Sequence, residues 1–157
     1  MSSTKKNPAA NDAAGGIAAT LTGYVADTYV LMAKTQVCHW NATGPGFIGM
    51  HQLTEAQYKE LFLAVDELAE RLRALGEPAP RGLSAMLDLA SLDELDGKVD
   101  VAGAYRTLAE DNTKVAARAR ELAEAAEEAE DIATHDMLVH RIEVHEKAAW
   151  LLRSHIA

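Results

Sequence analysis

The sequence predicts an all-α protein, a four-helix bundle with one long connection. Alanine, leucine and glutamate dominate a chain of 157 residues in which aromatics are only 5 %, a composition that favours helix over sheet. Apolar residues recur at helical spacing in four segments of roughly 25 residues. The breaks between those segments run short, long and short, as an up-and-down bundle with one crossover requires.

Each element has its own signal. Residues 1–16, MSSTKKNPAANDAAGG, are small, polar and glycine-ended, and read as a flexible tail with a slight positive charge from Lys5 and Lys6. The folded domain is then expected over 17–157. A first helix over 17–41 carries Leu21, Val25, Thr28, Leu31, Met32, Thr35 and Cys38 at helical spacing. Gly44, Pro45 and Gly46 end it. A second helix over 47–75 has a core stripe of Leu61, Leu68, Leu72 and Leu75, and is closed by Gly76, Pro78 and Pro80. The long connection holds LSAMLDLASLDEL, one or two helical turns. A third helix starts near Val99 or Asp100, with Val101, Tyr105, Leu108, Val115 and Leu122 inward. The fourth carries Ile132, Leu138, Ile142, Ala149 and Leu152. The break before it lies around 127–131, where Asp131 can cap a helix start. A long crossover between helices two and three, here carrying a short helix, is the ferritin-like arrangement of the bundle.

Composition narrows the function. No apolar run approaches the roughly 18 residues of a membrane span. No basic stretch is followed by an apolar core, so no secretory signal is expected. The lone cysteine, Cys38, excludes an internal disulfide and suits a reducing cytoplasm; it reads as a small buried residue. A net charge of −9 opposes wholesale nucleic-acid binding by the folded body and suits a protein that attracts cations.

The chemistry resides in five residues with metal-binding side chains: His39, His51, Glu55, Asp66 and Glu70. With His51 at zero, Glu55 falls near 40°, Asp66 near 60° and Glu70 near 100° around one helix, at about 100° per residue. The two pairs are nevertheless roughly 22 Å apart along the axis. No single ion spans that gap. Both pairs reach one ion only if a second copy of the helix runs antiparallel, so the pattern points to sites built between subunits. Tyr58, Phe62, Val65 and Ala69 lie between the pairs on nearly the same face, as a two-fold seam would require. Imidazole nitrogen with carboxylate oxygen suits iron, manganese or zinc. His135, His140, Glu143, His145 and Glu146 crowd the last helix, but a di-iron site within one bundle needs Glu-x-x-His pairs on facing helices. None occurs, so this cluster is read as solvated or structural.

The chain resembles the DNA-binding proteins from starved cells, the Dps mini-ferritins. The resemblance rests on His39-Trp40-Asn41, Gly44-Pro45, Phe47, His51, Glu55, Asp66, Ala69-Glu70-Arg71 and Leu75-Gly76. Asp131, Thr134, Asp136, Leu138, Lys147 and Trp150 extend it through the last helix. It implies a homododecameric hollow shell that oxidises Fe(II), preferably with hydrogen peroxide, and stores ferric mineral. His39 and His51 would come from one subunit and Asp66 and Glu70 from its partner. Glu55 stands where many members carry aspartate, and its longer arm would ligate directly or through water. Trp40 would lie beside the iron as a quencher or acceptor of radicals, a place that also fits a helix-end core aromatic. Asp131 and Asp136 would line acidic three-fold pores, unless they serve only as helix-start carboxylates. Members that bind DNA use mobile basic tails. Here Lys5 and Lys6 alone supply that charge, so DNA binding is expected to be weak or absent. The same donor set would also accept zinc. Two other readings compete: a nucleoid-associated, DNA-protecting shell with little ferroxidase role, and a helical adaptor without metal.

Overall fold

The computed structural model describes residues 8–156, apart from the side chains of residues 8–15. Four long helices, α1 (Pro8–Asn41), α2 (Phe47–Ala74), α4 (Val101–Glu128) and α5 (Ile132–Arg153), form the bundle, and the short α3 (Leu83–Leu89) sits in the crossover. The long helices thus fall where the apolar spacing predicts. One boundary differs: α1 is already helical at Pro8, the first described residue, inside the segment expected to be tail. The alanines of this stretch, Ala9, Ala10, Ala13 and Ala14, are the strongest helix formers, against which Gly15 and Gly16 cost only about 1 kcal/mol each. Lys5 and Lys6 lie outside the described residues.

The termini show why the helices stop. Past α2, Gly76 takes a left-handed φ of 93°; its N–H donates to Arg73 O and that of Glu77 to Leu72 O, a Schellman closure. The α4–α5 break uses the same closure without glycine. Glu130 adopts φ 58°, its N–H donates to Glu127 O, and the Asp131 N–H donates to Ala126 O. Asp131 then caps α5 by accepting from Thr134 N, as Asp100 caps α4 by accepting from Gly103 N.

The core is a stack of leucines and small residues. Leu21, Leu31, Met50, Leu68, Leu72, Leu108, Leu122, Leu138 and Leu152 are fully buried or nearly so, and Cys38 with them. Ile132, read as a core residue, is instead 79 % exposed; it follows the cap directly, at the bundle's end, before α5 packs.

The crossover is pinned to α1 by a buried carboxylate. Asp27 accepts from Ser91 N at 2.5 Å, Ser91 Oγ at 2.9 Å and Leu92 N at 3.2 Å, and pairs with Arg118. Gly23 makes room for this, because a Cβ there would run into the Arg118 guanidinium. A second buried pair, Lys34–Asp111 at 2.8 Å, ties α1 to α4. Among the described residues no helix is long and apolar enough to cross a membrane.

Candidate metal centre

His39 ends α1 and His51 opens α2, and the turn between them folds the two imidazoles face to face. Their ring centroids are 3.7 Å apart, with planes 15° from parallel. Gly46, at φ 82°, gives the turn the left-handed step it needs. The two histidines exchange hydrogen bonds: His39 Nδ1 lies 2.9 Å from His51 O, and His51 Nδ1 lies 3.0 Å from His39 O. A carbonyl only accepts, so each Nδ1 carries the proton and each Nε2 keeps a free lone pair. This is how metal-binding imidazoles are commonly oriented. Thr54 Oγ1 stands 3.3 Å from His39 Nδ1, while Tyr58 packs edge-on against His39 and Phe47 tilts against His51.

Glu55 lies one turn beyond His51 on α2. The hydrogen bond from Lys59, at 2.5 Å, is the main cause holding the Glu55 carboxyl below its ordinary range, with the lysine's charge next. Lys59 was not singled out from the sequence, although its i+4 spacing from Glu55 is the usual helical ion-pair signal. Asp66 and Glu70 follow on α2, both exposed, and neither takes part in an ion pair among the described residues. One chain therefore gathers His39, His51 and Glu55 at one end of α2 and leaves Asp66 and Glu70 towards the other. Among the described residues, no three His, Cys, Asp or Glu side chains of a single chain converge on a metal position.

Between the two groups the helix face is apolar and open. Phe62 is 64 % exposed, and Tyr58, Val65 and Ala69 are half-buried. Trp40 is no core aromatic: it is largely exposed, and it lines a cavity of about 370 Å³ between α1 and the crossover, with Tyr29, Leu83, Met86 and Leu95.

At the opposite end of α2, Arg71 reaches α5. Its Nε donates to Thr134 Oγ1 at 2.8 Å, and its terminal nitrogen to Asp131 Oδ1 at 2.6 Å. Burial alone would raise the Asp131 carboxyl, but the bonds from Thr134 and Arg71 outweigh it and hold the group down. Both Asp131 oxygens are thus engaged, whereas Asp136, one turn on, is exposed.

The ferritin-like domain family matches residues 18–157. A DNA protection during starvation protein of Brevibacillus brevis is 33 % identical over 138 residues, 88 % of this chain and 93 % of that one. The chain belongs to the Dps family. An uncharacterized low temperature-induced protein of Nostoc is 36 % identical over 143 residues, 90 % of this chain and 80 % of its own. Among solved structures, the Dps protein of Vibrio cholerae superposes with a TM-score of 0.89 at 26 % identity, covering 94 % of this chain and 92 % of that one; it is described as a ferritin-like diiron-carboxylate protein. The Dps-family architecture accounts for the crossover helix α3, an addition to the plain four-helix bundle.

Proposed function

We propose that this Dps-family protein is a ferroxidase and iron store: it oxidises Fe(II), with hydrogen peroxide as the preferred oxidant, and holds the ferric product inside a dodecameric shell. The observation that carries the reading is the His39–His51 pair, with both Nε2 lone pairs free and Glu55 one helical turn beyond His51. Two copies of α2 running antiparallel would bring Asp66 and Glu70 of a partner to those nitrogens, completing a mixed nitrogen and oxygen set that suits Fe(II). The exposed Phe62 would fill the seam between the sites, and the exposed Ile48, Leu63, Leu83 and Trp150 are further apolar surface for a shell to bury.

Fe(II) is the substrate. Two Fe(II) ions yield two electrons, hydrogen peroxide accepts both with two protons, and two waters result, so no hydroxyl radical is released. Trp40, exposed next to His39, would intercept any radical that forms. Asp136, with Asp131 behind it, would draw Fe(II) through three-fold pores, aided by a net charge of −9 on each chain. Removal of iron and peroxide would itself protect DNA without contact, and the acidic body leaves Lys5 and Lys6 little chance of strong DNA binding. The proposed compartment is the cytoplasm.

Anaerobic Fe(II) loading followed by peroxide tests this, with ferric absorbance and particle mass recorded together. Rapid ferric formation retained in a particle of about twelve chains is the expected result. A rate equal to the protein-free control would overturn the ferroxidase reading.

A further inference from the structure

An unusual polar group sits at the middle of the bundle, away from the interface residues. Every long helix contributes near its midpoint: Tyr24 from α1, Glu60 from α2, Asn112 from α4, and Arg141 and His145 from α5. Tyr24 and His145 are fully buried and Arg141 is 3 % exposed.

The protons of this group can be placed. Asn112 Nδ2 donates to Leu108 O at 2.8 Å, which fixes the amide so that its Oδ1 faces His145 Nδ1 at 2.8 Å. Nδ1 therefore carries the imidazole proton and Nε2 presents a lone pair. Arg141 NH2 stands 3.2 Å from that Nε2 and 3.2 Å from Glu60 Oε2, while Arg141 NH1 bonds the other Glu60 oxygen. The Tyr24 hydroxyl lies beside the same guanidinium without a hydrogen bond of ordinary geometry, and Arg141 Nε has no partner.

One guanidinium nitrogen thus occupies the point on which a carboxylate oxygen and an imidazole lone pair converge. An imidazole oriented by a second side chain, with a carboxylate facing its free nitrogen, is how bundle cores hold divalent ions. Here the position is filled by a covalently attached cation that never loses its charge. We propose that Arg141 is the resident cation of an intrachain site formed by Glu60, His145 and Tyr24 and oriented by Asn112, and that removing its guanidinium opens this position to a divalent metal such as Zn(II) or Co(II). In the intact protein the guanidinium keeps such ions out of the bundle core. The Glu60 side chain is 40 % exposed, so an ion has a route in from solvent. The proposal stands independently of the interface site.

Co(II) binding tests it in the full-length assembled protein, with Arg141→Ala, the double variant Arg141→Ala/His145→Ala and the natural chain compared side by side. Arg141→Ala should retain one more Co(II) per chain than the natural protein, with new visible absorption, and the added His145→Ala change should abolish both. Equal Co(II) per chain in Arg141→Ala and the natural protein would overturn the proposal, as would an extra ion that survives loss of His145. If Arg141→Ala fails to fold without metal, Co(II) added during refolding should recover the single variant and not the double. No recovery of either also overturns it.

Discussion

At His39 and His51 the backbone decides where the protons sit. Each Nδ1–H is spent on the other residue's carbonyl, so both imidazoles would offer Nε2 to the proposed ion with little reorganisation left to do on binding. Removing one imidazole should therefore cost more than a single ligand. His51→Ala is expected to slow peroxide-driven Fe(II) oxidation by about 100-fold or more while the shell still assembles, as stopped-flow absorbance with light scattering would register. An undiminished rate would place the site elsewhere. Glu55 would be the less committed of the proposed ligands, because Lys59 holds it. An exposed ion pair is a weak competitor, so Lys59→Met should tighten Co(II) binding at the interface by at most about fivefold; weaker binding would mean that Lys59 positions Glu55 instead of competing for it. The twelve-residue step from His39 to His51 is legible in the sequence as part of the resemblance to the Dps family, and the structure stacks the two imidazoles. The reciprocal bonding is not legible there, since it depends on how Gly46 turns the chain.

The helices and their ends show where sequence reading succeeds and where it stops. Leu21, Leu68, Leu108 and Leu138 keep strict helical spacing and all are buried. The α4–α5 break falls where Asp131 predicts it, with Asp131 capping α5, yet its mechanism is hidden in the sequence because Glu130 stands where a glycine usually marks this turn. A side chain held at φ 58° is strained relative to glycine. Glu130→Gly should consequently raise stability by about 1 kcal/mol in chemical denaturation; a loss would show that the glutamate side chain makes a contact that outweighs the strain. Asp131→Ala removes the α5 cap and the Arg71 bridge together, and a cost of about 2 kcal/mol is expected. The Asp131 carboxyl is held below its ordinary value, so its contribution is complete above the unfolded-state pKa and is lost as pH falls through the folded one. The destabilisation by Asp131→Ala should accordingly shrink in acid.

On the scale of the whole molecule, the polar group in the core is expected to govern acid tolerance and the open α2 face the proposed assembly. Burial first, and the charge of Arg141 second, hold His145 down at about 3, against about 6.5 when unfolded. The unfolded chain takes up that proton more readily, so the stability this histidine contributes is intact above about pH 6.5 and drains away as pH falls towards 3. His145→Gln keeps a donor and an acceptor without titrating, and should move the acid-unfolding midpoint to lower pH; an unmoved midpoint would assign acid unfolding to other groups. From sequence, His145 was indistinguishable from its exposed neighbour His140, because only tertiary packing separates them. The proposed division of the ligands between subunits, by contrast, is suggested by the helix spacing of His51, Glu55, Asp66 and Glu70, and it is the central claim. Co-assembly of His39→Ala/His51→Ala chains with Asp66→Ala/Glu70→Ala chains tests it most directly. Neither variant alone holds a complete site, but each mixed dimer would contain one intact site, so random co-refolding should restore about a quarter of the natural peroxide-driven rate. A mixed shell as inactive as either parent would contradict sites shared across the two-fold axis.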